Sequence, residues 1–159
     1  DVDGNNVQRL MRSRSIDTEP VWAPDGKSIF FVSDRGGGPQ IYTIDLATEQ
    51  VRRVTFEGKY NVSPRLSPDG KLLTFITNDN GSYKVAVQNL ISNQVMRLTK
   101  GRNDEAPVFS PNGHMVLYTG KESDKVTVLK TVSLNGFKQQ IIDTGPLSNQ
   151  EATWSPIDF

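Results

Sequence analysis

The sequence predicts an all-β chain built from repeated four-stranded units, and three observations carry that prediction. One short phrase returns four times: Trp22-Ala23-Pro24-Asp25-Gly26, Leu66-Ser67-Pro68-Asp69-Gly70, Phe109-Ser110-Pro111-Asn112-Gly113 and Trp154-Ser155-Pro156. Its prolines, at 24, 68, 111 and 156, lie 44, 43 and 45 residues apart, the period of a stacked or radial repeat array. Between the returns, short runs of β-branched and aromatic residues alternate with turn clusters and leave no room for a long helix.

The elements follow in order. Val7-Gln8-Arg9-Leu10-Met11 matches Val51-Arg52-Arg53-Val54-Thr55 and Val95-Met96-Arg97-Leu98-Thr99, so residues 5–11 read as the outermost strand of a preceding unit. Three full units follow, at 17–55, 61–99 and 105–142. In the middle unit, 61–66 leads into the turn and 71–77 is a β-rich run. Asn78-Asp79-Asn80-Gly81 is a hairpin turn, because Asn and Gly accept positive φ, and 83–89 and 95–99 alternate with period two. In the Pro-Asp-Gly turn, Pro presets the first corner, Asp bonds its own backbone and Gly takes the left-handed position. A lone inner strand at 151–155 closes the series. Units of this length are blades of a β-propeller. Three blades do not close a ring, so the chain reads as part of a larger propeller. The large residue before each turn, Trp22 and Trp154 included, is expected to pack between blades.

Composition narrows the function classes. The 159 residues hold 18 basic and 18 acidic side chains with no long run of one sign, which argues against nucleic acid as a partner. No apolar stretch is long enough for a membrane-spanning helix, so direct membrane insertion is not expected. With no cysteine and a single histidine, His114, neither a thiolate nor a multi-histidine metal site can form, and no metal or cofactor is predicted. No G-x-S-x-G nucleophile motif is present, and His114 reads as an exposed strand residue. No catalytic residue is assigned.

A second recurrence points to binding. Polar loops ending in Pro precede the inner strands: Ser15-Ile16-Asp17-Thr18-Glu19-Pro20, Gly58-Lys59-Tyr60-Asn61-Val62-Ser63-Pro64 and Gly101-Arg102-Asn103-Asp104-Glu105-Ala106-Pro107, with a looser fourth copy at 145–151. In a propeller such loops crowd one face around the central channel. The candidate partner-binding residues are Thr18, Glu19, Tyr60, Asn61, Asp104 and Glu105, Tyr60 standing out because tyrosine is enriched at interface hot spots.

The Ser/Ala-Pro-Asp-Gly-Lys turn, Val32-Ser33-Asp34-Arg35-Gly36-Gly37, Pro39-Gln40-Ile41-Tyr42, Thr18-Glu19-Pro20-Val21-Trp22, Arg53-Val54-Thr55-Phe56-Glu57-Gly58 and the terminal Trp154-Ser155-Pro156 together resemble the WD40-like repeats of the TolB family. These are periplasmic propellers of the Tol–Pal envelope-integrity system of Gram-negative bacteria. The resemblance implies a six-bladed, non-catalytic propeller in the periplasm. It also implies docking of the peptidoglycan-associated lipoprotein Pal on the inter-blade loops, with Thr18 and Glu19 as the leading contacts. Contacts with other Tol proteins would use segments without a counterpart here. A rival reading from the enzyme class is the propeller of a prolyl-oligopeptidase-type serine hydrolase, gating access to a triad on another domain.

Overall fold

The computed structural model describes residues 3–123, 126–145 and 149–155. Three four-stranded antiparallel sheets form the blades, each in simple up-and-down order. Blade 1 contains β1 (Asp17–Trp22), β2 (Ser28–Ser33), β3 (Gln40–Asp45) and β4 (Val51–Arg53). Blade 2 contains β5 (Asn61–Leu66), β6 (Leu72–Asp79), β7 (Ser82–Asn89) and β8 (Val95–Arg97). Blade 3 contains β9 (Asp104–Phe109), β10 (Met115–Ser123), β11 (Val126–Ser133) and β12 (Gln139–Ile142). No helix occurs among the described residues.

The turns form for the expected reasons. In blade 2 the Ser67 hydroxyl donates to Asp69 Oδ1 at 2.6 Å and accepts the Leu72 N–H at 2.9 Å. Ser110 and Asn112 repeat the arrangement in blade 3. The same box recurs at Ser133-Leu134-Asn135-Gly136, where it turns β11 into β12. The glycines of the Pro-Asp-Gly turns have a second duty. A Cβ on Gly70 would stand 3.7 Å from Pro24, and one on Gly113 would stand 3.6 Å from Pro68. The turns of blades 2 and 3 therefore rest on the proline of the blade before them.

The core lies between blades as well as within them. Ala23, Phe30, Val32 and Ile41 of blade 1 pack with Leu73, Phe75 and Ala86 of blade 2. Ile76, Val85 and Val87 of blade 2 pack with Phe109, Val116, Tyr118 and Val132 of blade 3. Leu66 and Phe109 thus sit between blades, as the position before each turn should.

Trp22 departs from that expectation. It is 60% exposed, and Pro20 beside it is exposed too, whereas Pro64 and Pro107 are buried. The physical reason is positional: among the described residues, no blade packs on the face of blade 1 that corresponds to the covered faces of blades 2 and 3. Trp154 is half-buried, and Pro156, which ends the fourth phrase, lies outside the described residues.

The expected outer strand at 5–11 and inner strand at 151–155 are likewise not formed. A strand needs a ladder partner, and neither segment has one among the described residues. Met11 nevertheless packs against Phe31, Tyr42 and Ile44 of blade 1.

Gly113 tests the stacking of turns. Its φ of 71° strains any side chain, while a Cβ there would meet Pro68 at ordinary contact distance. Gly113→Ala is expected to cost about 1 kcal/mol or more, seen as a lowered thermal midpoint. An unchanged midpoint would show that the turn tolerates a Cβ.

Candidate functional site

Each inner strand carries the same irregularity at its entry. Thr18 pairs with Val32 and Val21 with Phe30, so three steps along β1 match two along β2. Val62–Arg65 in β5 and Glu105–Val108 in β9 repeat this one-residue bulge. The sequence explains it. Pro20, Pro64 and Pro107 have no N–H to give a ladder, and a bulge releases that position from pairing. The residue before each proline then turns left-handed, with φ of 53° at Glu19, 55° at Ser63 and 49° at Ala106. Such a conformation at a non-glycine residue costs about 1–3 kcal/mol, held in place by the sheet around it. Glu151 adopts the same φ, 54°, so the motif continues into a fourth copy without a proline.

The bulge breaks the in-out alternation of a strand. Thr18 and Glu19 are exposed in succession, and Pro20 after them because no blade among the described residues covers it, Pro64 and Pro107 being buried at the same position. Glu19 reaches across to the next blade, its Oε2 accepting the Ser63 N–H at 2.5 Å. The four left-handed residues, Glu19, Ser63, Ala106 and Glu151, converge on one cleft of about 620 Å³ that Tyr60 and Glu105 also line. This is the mouth of the channel on the inter-blade loop face. The Tyr60 ring meets Tyr83 edge to face, with centroids 5.6 Å apart. Burial, with Tyr83 and the Glu19 charge, pushes the Tyr60 hydroxyl pKa up and keeps the phenol protonated.

Behind the mouth lies a buried polar latch that joins consecutive blades. Between blades 1 and 2, Thr55 Oγ1 accepts the Ile41 N–H at 3.0 Å and donates to Gln40 Oε1 at 2.8 Å. Asn61 Nδ2 donates to the same Gln40 oxygen and to the Glu57 carbonyl, both at 2.8 Å. Between blades 2 and 3 the framework repeats with different chemistry. Thr99 Oγ1 accepts the Val85 N–H and donates to Asp104 Oδ2, while Lys84 stands in the place of Gln40. A Cβ on Gly101 would fall 2.4 Å from the Asp104 carboxylate, so only glycine leaves room for it.

The expected contacts therefore divide. Glu19 and Glu105 are exposed at the mouth and Tyr60 is half-buried at its rim, whereas Thr18, also exposed, lies outside the cleft beside Leu10, Met11 and Phe31. Asn61 and Asp104 are corrected: at 0% and 3% exposure they hold blades together and have no surface to offer a partner. They occupy equivalent positions, and their loops looked as polar as the exposed ones. Tyr83 and the Gln40, Thr55, Lys84 and Thr99 framework were missed. The return of Thr at 55 and 99 was the available signal. The 145–151 loop lies partly outside the described residues. His114 is exposed, its backbone N–H donating to Asn112 Oδ1 at 3.1 Å.

Up-and-down four-stranded sheets packed side by side, with their bulged inner strands converging on a shared channel, define a β-propeller. Comparison with known proteins narrows this. The family model described as the TolB beta propeller domain matches residues 1–158, and the chain belongs to that family. The Tol-Pal system protein TolB of Bordetella pertussis is 48% identical over 154 residues, covering 97% of this chain and 35% of the relative. The crystal structure of TolB from Acinetobacter baumannii superimposes with a TM-score of 0.86 at 38% identity, over 95% of this chain and 38% of that one. A structure described as a putative TolB from Agrobacterium tumefaciens, at 24% identity and a TM-score of 0.70 over 83% of this chain and 50% of that one, agrees in fold. The chain thus spans about a third of the length of the curated relatives it matches.

The two latches yield a pH prediction. Burial raises the Asp104 pKa above its ordinary value, against the Thr99 hydrogen bond and the Lys130 and Lys84 charges. A carboxyl with a raised folded-state pKa binds its proton more tightly when folded. Its stabilising contribution is therefore present below the unfolded pKa and is lost as pH rises through the folded value. Asp104→Asn removes this dependence, so in urea titrations its stability relative to the parent should rise across that window. The pair Lys84→Gln with Asp104→Asn rebuilds the neutral latch and should exceed the sum of the single changes by about 1 kcal/mol. Strict additivity would contradict a shared network.

Proposed function

We propose that this propeller segment is a non-catalytic docking module of the Tol–Pal envelope system, working in the periplasm and presenting its inter-blade loop face to Pal. The observation that carries the reading is the convergence of the left-handed bulge residues on one cleft, with Glu19, Glu105 and Tyr60 around it. The framework suits docking because the strained residues sit in paired sheets. The mouth is ordered before a partner arrives, and little conformational entropy remains to be lost on association. Membership of the TolB family supplies the biological context and favours this reading over a hydrolase-gating propeller, for which the fold alone speaks.

Glu19 is the residue to test. Glu19→Gln keeps an acceptor for the Ser63 amide and removes the charge, whereas Glu19→Arg reverses the charge. Calorimetric titration with purified Pal should show affinity falling in the order parent, Glu19→Gln, Glu19→Arg, with a loss of about tenfold or more for the reversal. The exposed hydrogen bond lost in Glu19→Arg is worth about 1 kcal/mol, so the thermal midpoint should move by only a few degrees. Equal affinities for all three proteins would remove Glu19 from the interface.

A further inference from the structure

We propose that Tyr60, Tyr83 and Glu19 form a seat for a basic side chain of the docked protein, so that recognition at this face rests on an aromatic corner beside one carboxylate. The inference rests on the docking reading above and names the chemistry of the group that is docked.

The corner is built from two blade-2 segments that the fold brings together. Tyr60 immediately precedes β5, and its carbonyl accepts the Asn78 N–H at 3.1 Å. Tyr83 stands on β7 opposite Asn78, near the tip of the β6–β7 hairpin. Its backbone N–H donates to the Arg102 carbonyl at 2.7 Å, and it forms a bridge with Asn103. Both backbones are therefore fixed by neighbouring loops. The rings meet at 79°, and Tyr83 keeps 36% of its surface exposed. Two rings held at nearly a right angle present one face and one edge, a corner into which a side chain fits with little ordering cost.

Three features favour a cation there. Tyr60 and Glu19 line the same cleft, and the Glu19 charge is felt at the Tyr60 hydroxyl. Among the described residues the cleft carries three carboxylates, Glu19, Glu105 and Glu151, against one guanidinium, Arg65, whose Nη1 is engaged by the Pro64 carbonyl at 2.8 Å. Aromatic faces attract guanidinium and ammonium groups, and desolvation at an interface strengthens the attraction. The aromatic pair is also particular to blade 2. Proline occupies the position of Tyr83 in blade 1 and threonine occupies it in blade 3, at Pro39 and Thr127.

Titration of Pal into the protein by calorimetry, at low and at physiological salt, decides the matter with Tyr83→Ala, Tyr83→Phe and Glu19→Gln as variants. Tyr83→Ala should weaken binding by about tenfold or more, while Tyr83→Phe, which keeps the ring, should stay near the parent and guards against a general folding defect. Parent affinity should fall with salt, and Glu19→Gln should lose most of that dependence. Undiminished binding by Tyr83→Ala would overturn the seat and leave the docking reading standing. Loss of binding in Tyr83→Ala with no salt dependence in the parent would overturn the basic side chain in favour of an apolar one. Failure of the unaltered protein to bind Pal would overturn both the docking reading and the seat.

Discussion

A strand that must carry a proline at its fourth residue, inside a sheet, has to release one ladder position, and this chain does so three times in the same way. The bulge before Pro20, Pro64 and Pro107 is the constraint on which the inter-blade loop face depends. It places a left-handed residue at each strand entry and turns consecutive side chains outward. Without it, strict alternation would send either Thr18 or Glu19 inward. With it, both are exposed, and Glu19 stands at the mouth of the channel and ties its blade to the next through the Ser63 amide. The same geometry brings Ala106 and Glu151 to the cleft.

The bulges are held by what lies on either side of them. Toward the far face, the turns of blades 2 and 3 rest their glycines Gly70 and Gly113 on the proline of the preceding blade, and apolar clusters fill the space between sheets. Toward the mouth, a threonine hydroxyl accepts a backbone N–H from one blade and donates into a polar group that links it to the next. The two latches are alike in geometry and opposite in charge character. A neutral Gln–Thr–Asn set closes the first junction. The second uses Thr99 and a buried Asp104 with Lys84 and Lys130 charges nearby, so ionisation of one carboxyl bears on one junction and not on the other.

Much of the fold was legible because turn chemistry is local. Pro, Asp and Gly act on their own backbone, and twelve strands lie close to where period-two runs and turn clusters place them. The terminal segments at 5–11 and 151–155 were not, because a strand is defined by its neighbour. Trp22 was misjudged for a related reason: whether the position before the turn is buried depends on the blade packed against it. At the site, Asn61 and Asp104 look as hydrophilic as Glu19 and Glu105 in sequence. Only the register, which turns them into the junction, separates latch from surface. Tyr83 escaped notice because an aromatic residue in an alternating strand ordinarily means core, and its partner ring lies in a different loop.

The two faces of the propeller thus carry different burdens. The recurrent turn stacks blades, and the less regular loops at the other end form the mouth. The most direct measurement of that division is hydrogen–deuterium exchange of the protein with and without Pal. The account predicts new protection confined to residues 17–20, 59–63 and 101–106 and to the β6–β7 hairpin, with the Pro-Asp-Gly turns unchanged. Protection centred on residues 24–27, 68–71 and 111–114 would place the partner on the opposite face and contradict it.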